Sequence, residues 1–262
     1  MSAALDLDAL LAAALAAADA GAAVVREAFG RAENVREKGP GDWVSDADTA
    51  SEQCIRTVLR EAAPHVAFLG EEGGGERAEV GWFVDPLDGT ANFVHHFPVV
   101  GVSIGLVVAG EPVVGVVQAP LLGDVYSARR GGGAHRNGAP IRVATRPPEQ
   151  AICATGFPFR SKRDRAPEYL PVFARALAKF EDLRRAGAAS LDLALVAAGV
   201  FDGYFEQFLG PWDVAAGALV VREAGGVVSD WAGDPGTWLH SGDIVAAGPE
   251  VHSQLLDVVR GS

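Results

Sequence analysis

Cysteine occurs only twice in this 262-residue chain, at Cys54 and Cys153. Two isolated thiols make neither a disulfide framework nor a zinc motif, and they suit a reducing, cytoplasmic setting. Lysine is almost as scarce: Lys38, Lys162 and Lys179 are the whole complement, so arginine carries nearly all the positive charge. Against 22 basic residues stand 34 acidic ones, giving a net charge of −12 and a pI near 4.9. Such a chain lacks the basic face with which a general nucleic-acid binder displaces counterions. A phosphate substrate stays open if a metal supplies the positive charge. No stretch reaches about 18 uncharged apolar residues, so no membrane span is expected. Met1 to Leu15 has no basic residue with which to open a signal peptide. Low-complexity linkers and fixed-period repeats are also missing.

What is present is an ordinary globular composition, 49% hydrophobic and 21% charged, on a chain long enough to bury a sizeable core. Asp6 to Phe29 has its apolar residues at helical spacing, Leu7, Leu10, Leu11, Ala14, Leu15, Ala18, Ala22, Val25 and Phe29. Ser45 with Asp48 marks the start of a second helix whose Ile55, Val58 and Leu59 face inward. Val66–Leu69 and Trp82–Val84 read as short strands. Val99–Val108, Pro112–Ala119 and Val125–Ala128 are β-rich runs broken by glycine turns, an antiparallel meander. The second half mixes elements. Strands are expected at Ile152–Thr155, Gly203–Phe208, Val227–Ser229 and Ile244–Ala247. Helices are expected at Pro167–Phe180, Ser190–Ala198, Asp213–Ala224 and Glu250–Arg260. We read residues 1–262 as a single α/β (α+β) domain of two sheets sandwiched with helices. Its N-terminal half (1–148) holds the antiparallel sheet and acidic loops, and its C-terminal half (149–262) is α/β.

Three acidic segments sit at chain breaks: Gly70-Glu71-Glu72-Gly73, Asp85-Pro86-Leu87-Asp88-Gly89-Thr90 and Pro211-Trp212-Asp213. In the second, Pro86 is expected to stop the strand. Asp85 and Asp88 then flank a tight turn and can project to one point with the Leu87 carbonyl. That all-oxygen set suits a hard cation such as Mg²⁺ rather than Zn²⁺. Gly89-Thr90 follows, and free N–H groups at a helix start bind phosphate. Each segment has a plainer reading: an Asp-capped surface turn, a solvated Glu-Glu pair, or an acid favoured by the macrodipole at a helix start. His95-His96 lack a third metal ligand at useful spacing and read as loop residues.

The run Trp82-Phe83-Val84-Asp85-Pro86-Leu87-Asp88-Gly89-Thr90-Ala91-Asn92-Phe93 resembles the first signature of the inositol monophosphatase family. Trp212-Asp213-Val214-Ala215-Ala216-Gly217, followed by Glu223-Ala224-Gly225-Gly226, resembles the second, and Gly70-Glu71-Glu72 resembles its acidic loop. Thr155-Gly156-Phe157-Pro158-Phe159 and Val196-Ala197-Ala198-Gly199 look most like the bacterial inositol-1-monophosphatase branch. The resemblance implies a five-layer αβαβα sandwich of the inositol monophosphatase / fructose-1,6-bisphosphatase type. It also implies hydrolysis of a phosphorylated polyol or sugar with two or three Mg²⁺, lithium sensitivity and a homodimer. By the same resemblance, Glu71, Asp85 and the Leu87 carbonyl hold a first ion, and Asp85, Asp88 and Asp213 a second. Glu71 also shares a third ion through waters. Glu71 and Thr90 orient the attacking water, and the Gly89 and Thr90 amides hold the phosphate. Glu206 accepts hydrogen bonds from substrate hydroxyls. Lys38 matches a family lysine near the active site, or is a solvated loop residue. Ala188 stands where relatives commonly carry Ser or Thr, which puts strict inositol selectivity in doubt. Histidinol phosphate, fructose 1,6-bisphosphate and a 3′-phosphoadenosine nucleotide remain alternative substrates. A regulatory metal-binding protein with a vestigial site is the non-enzymatic alternative.

Overall fold

The computed structural model describes residues 5–39, 41–157 and 162–261; Pro158 and Phe159 of the motif above lie outside them. Helix α1 (Leu7–Ala28) begins where the Asp6 carboxylate accepts the Asp8 and Ala9 amides. It is long and apolar enough to cross a membrane by composition alone, yet its Leu10, Ala14, Ala18 and Val25 face is buried in the core. A hairpin missed by the periodicity follows, β1 (Arg36–Gly39) and β2 (Asp42–Val44). Helix α2 (Asp46–Ala62) starts with the expected capping box of Ser45 and Asp48. Gly21 lets α1 and α2 approach closely: a methyl there would fall 2.7 Å from Ile55.

Strands β3 (Ala67–Gly70), β4 (Gly74–Gly75) and β5 (Val80–Asp88) come next, then the short α3 (Thr90–Val94). Pro86 does not end its strand. β5 continues to Asp88 through a register shift between Asp85 and Asp88, and a bulge is where a missing N–H leaves no ladder bond unmade. The meander is β6 (Gly101–Val108), β7 (Glu111–Ala119) and β8 (Asp124–Arg129), extended by β9 (Ala134–Arg136) and β10 (Ala139–Pro140). The eight strands order as β10-β9-β8-β7-β6-β5-β3-β4, antiparallel except for the β3–β5 pair.

The second half supplies β11 (Ile152–Thr155), α4 (Lys162–Lys179), β12 (Asp182–Arg184), α5 (Ala189–Ala197), β13 (Gly203–Glu206) and α6 (Pro211–Glu223). It closes with β14 (Val227–Ser229), α7 (Trp238–Ser241), β15 (Ile244–Ala247) and α8 (Pro249–Arg260). Helix α4 starts earlier than Pro167 and carries Pro167 and Pro171 inside it. Its buried Tyr169, Val172 and Ala176, spaced for one face, with Phe180 just beyond its end, hold it on the outer core. The five strands order as β12-β11-β13-β15-β14.

The layers are therefore α1/α2, the eight-stranded sheet, α5/α6, the five-stranded sheet and α4/α8. Three apolar clusters fill the spaces between them. In the middle layer α6 lies almost against the backbone of the large sheet. Gly105 and Gly115 are cross-strand partners, and methyls there would fall 2.8 Å and 2.6 Å from Ala215 and Ala216 of α6. That contact brings the start of α6 to the end of β5.

Candidate active site

The parallel pairing of β3 with β5 sets Gly70 beside Val84, so the next residues, Glu71 and Asp85, emerge together. The Glu71 amide donates to the Val84 carbonyl at 3.0 Å. On the other side of β5, Asp85 is paired with Ser103, whose hydroxyl donates to the Trp212 carbonyl at 2.8 Å. That bond presses Asp213 against Asp85. Ligand oxygens of Glu71, Asp85 and Asp213 consequently lie within 4.8 Å of one another. The Asp213 carboxylate also accepts the Gly210 amide at 2.6 Å, so it caps its helix as well.

Asp88 lies beside this trio but is differently held. Its Oδ2 accepts the Ser190 amide at 2.7 Å and the Ser190 hydroxyl at 2.6 Å. Burial, opposed by those bonds and assisted by the nearby Glu71 charge, raises Asp88 to about 6. Burial and then the charges of Glu71, Asp88 and Asp213 push Asp85 well above the ordinary carboxylate range. Carboxylates crowded in this way are relieved by a cation. The donors are all hard oxygens, and the set fits Mg²⁺.

The turn after β5 makes the adjoining wall. Gly89 adopts φ 88°, which favours glycine, and a methyl there would meet the Val99 and Gly187 carbonyls at 3.1 Å and 3.2 Å. The Thr90 hydroxyl lies 2.8 Å from Asp48 Oδ1 and 3.1 Å from the Leu87 carbonyl. These residues open on a cavity of about 300 Å³ whose far wall includes Phe157, Arg185 and Glu206. Glu206 is buried and accepts the Tyr204 hydroxyl on its Oε2. Gly156 makes room for it, since a methyl there would fall 1.8 Å from the Glu206 carboxyl carbon.

Two expected positions sit off the cavity. Lys38 pairs with Glu71 at 3.2 Å and Glu72 at 2.7 Å, behind the acidic loop. Ala188 is wholly buried, while its neighbours Gly187 and Ala189 line the cavity; a hydroxyl at 188 would not face the open space. The loop residues His95 and His96 follow α3 and do not line it.

Sequence reasoning missed Asp48, Ser103 and Ser190 as parts of the site. Asp48 was legible as something beyond a cap. It shares a helical stripe with Glu52, Ile55 and Leu59, all buried, and buried acids on an apolar stripe need partners. Burial, opposed by bonds from Ser45 and Thr90, raises the Asp48 carboxyl above its usual value.

Comparison with known proteins places these features in a lineage. The model of the inositol monophosphatase family matches residues 6–262. A putative Nus factor SuhB of Neisseria meningitidis is 47% identical over 228 residues, covering 85% of this chain and 86% of that protein. A fructose-1,6-bisphosphatase/inositol-1-monophosphatase of Aquifex aeolicus is 41% identical, covering 93% and 92%. Among solved structures, the inositol monophosphatase from Anabaena is similar with a TM-score of 0.88 at 33% identity, covering 98% of this chain and 97% of that one.

Proposed function

This chain belongs to the inositol monophosphatase family, and we propose that it is a Mg²⁺-dependent phosphatase that hydrolyses phosphate monoesters of small polyols, inositol 1-phosphate first among them. One observation carries the reading: the ligand oxygens of Glu71, Asp85 and Asp213 converge within 4.8 Å next to the Gly89–Thr90 turn. Mg²⁺, when bound, supplies the positive charge that offsets the phosphate dianion and the developing leaving-group alkoxide. Glu71, Asp85, Asp213 and the Leu87 carbonyl would hold it, with the second oxygen of Asp88 completing the set. The Gly89 and Thr90 amides, at the start of α3, would donate to the phosphate. The Thr90 hydroxyl lies within hydrogen-bond reach of Asp48 Oδ1 and of the Leu87 carbonyl; with its proton given to the carboxylate it would present its lone pairs to the attacking water. Asp48 is thus placed to draw a proton through Thr90 as that water attacks. Glu206 on the far wall offers acceptors to the substrate's hydroxyls.

The Neisseria relative is named a putative Nus factor SuhB, not a phosphatase. A regulatory protein with a vestigial site would be expected to have lost acidic residues, and here Glu71, Asp85, Asp88 and Asp213 are all retained. The test is phosphate release by the purified protein with Mg²⁺ on inositol 1-phosphate, histidinol phosphate, fructose 1,6-bisphosphate and 3′-phosphoadenosine 5′-phosphate. Turnover of inositol 1-phosphate above the others supports the reading, and no release from any substrate would overturn it.

A further inference from the structure

Helix α2 does more than cover the large sheet. Asp48, Ser51 and Glu52, at spacings of three and one, lie on one side of it, and all three are buried. Each reaches a different segment of the acidic site. Asp48 takes the Thr90 hydroxyl, and the Ser51 hydroxyl donates to the Pro86 carbonyl at 2.9 Å. Glu52 takes the backbone of the acidic loop: the Glu72 amide at 2.9 Å, and the Gly73 amide at 3.0 Å and 3.1 Å on its two oxygens.

Glu52 is the most heavily engaged of the three. Arg56, one turn on, donates to Glu52 Oε1 at 2.9 Å and to the Gly74 carbonyl at 3.3 Å, and its guanidinium stacks 4.1 Å over the Phe68 ring. The loop is shaped around the carboxylate. A methyl at Gly70 would fall 2.2 Å from Glu52 Oε2, and one at Gly73 would fall 2.4 Å from Oε1. Glycine at both positions is what lets the backbone close onto the acid. Only a carboxylate can accept at both oxygens from two amides and a guanidinium at once.

We infer that Glu52 is a positioning residue: its buried carboxylate templates the 71–73 turn from helix α2 and so holds the Glu71 side chain at the Asp85–Asp213 cluster before any ion arrives. The inference rests on the reading of that cluster as a divalent-metal site. Without the template, the turn would keep the Glu71 amide bond to Val84, the Gly70–Gly74 strand pairing and the Lys38 ion pairs, but its 72–73 backbone would lose its acceptor, and part of the ion's binding energy would be spent on ordering it. The apolar packing of the helix, in contrast, is made by Ile55 and Leu59, which are buried in the core.

The experiment is calorimetric titration of the purified full chain with Mn²⁺, comparing wild type, Glu52→Gln and Gly73→Ala, each with a melting curve. Glu52→Gln turns one acceptor into a donor facing an amide. Gly73→Ala presses on the same contact from the loop side. Both are expected to weaken Mn²⁺ binding about 10- to 100-fold, the usual range for groups that orient metal ligands. The Mg²⁺ concentration for half-maximal phosphate release should rise in parallel, and added Mg²⁺ should recover kcat. If Glu52→Gln does not fold, Gly73→Ala carries the same test. Unchanged Mn²⁺ affinity with a lowered melting temperature would overturn the proposal and leave Glu52 a purely structural residue. A wild-type protein that binds no Mn²⁺ would overturn the metal reading itself, and the proposal with it.

Discussion

The Thr90 hydroxyl is 2.8 Å from the Asp48 carboxylate, across 42 positions of sequence, and this joins helix α2 to the turn that lines the cavity. Asp48 Oδ2 is occupied by the Ser45 amide and hydroxyl, so Oδ1 alone is turned to Thr90. Asp48→Asn keeps the shape and removes the charge. It is expected to lower kcat by about 100-fold or more, within the range for general-base assistance, while KM changes little. Thr90→Ser, which keeps the hydroxyl, should retain far more activity than Thr90→Val. Equal losses in the two Thr90 variants would separate the hydroxyl from the chemistry.

Metal dependence is expected to be complete. Turnover should vanish after chelation by EDTA and return with Mg²⁺, and Ca²⁺ should inhibit. Ca²⁺ prefers longer bonds and more ligands, so it fills an oxygen site without holding the same geometry. Full phosphate release in EDTA would remove the metal from the mechanism.

Asp88 makes a pH-dependent prediction. Its carboxyl is raised from an ordinary 3.8 to about 6. Between about pH 4 and pH 6 the folded chain therefore holds this proton more tightly than the unfolded chain, and stability falls as pH rises through that window. At neutral pH the charged, buried side chain therefore destabilises the metal-free protein. Asp88→Asn should raise the melting temperature of the metal-free protein by several degrees at pH 7.5 and by much less at pH 4. It should also gain less stability from added Mg²⁺ and lose kcat severely. Melting curves at the two pH values, with and without Mg²⁺, check all of this except the last point, which needs kinetics.

Glu206 reports on the substrate. If Glu206 accepts from substrate hydroxyls as proposed, Glu206→Gln should weaken charge-assisted bonds each worth about 1.5–3 kcal/mol, and kcat/KM for inositol 1-phosphate should fall about 10- to 100-fold. p-Nitrophenyl phosphate offers no hydroxyl at that end and should suffer a much smaller loss. A larger loss on histidinol phosphate than on inositol 1-phosphate would mean that Glu206 pairs with an ammonium. Equal losses on every substrate would mean that it supports the fold.

The sequence by itself determined the local elements and the list of acids. Apolar spacing sufficed for α1, the Ser45–Asp48 box for α2, and glycine turns for the meander, because each is decided within a few residues. Asp85, Asp88 and Asp213 stood out because each sits where a strand or helix breaks. Their meeting was implied only by the family resemblance and could not be read from spacing, because it depends on three long-range facts. The parallel β3–β5 pairing puts Glu71 beside Asp85. The Gly105–Gly115 pair lets α6 lie against the sheet. The Ser103 hydroxyl holds the Trp212 carbonyl. The tertiary structure likewise decided what the buried acids of α2 are for. Periodicity shows that Asp48 and Glu52 lie on the inner face of a helix, but only packing brings them the Thr90 hydroxyl and the Gly73 amide, whose hydrogen bonds make their burial tolerable.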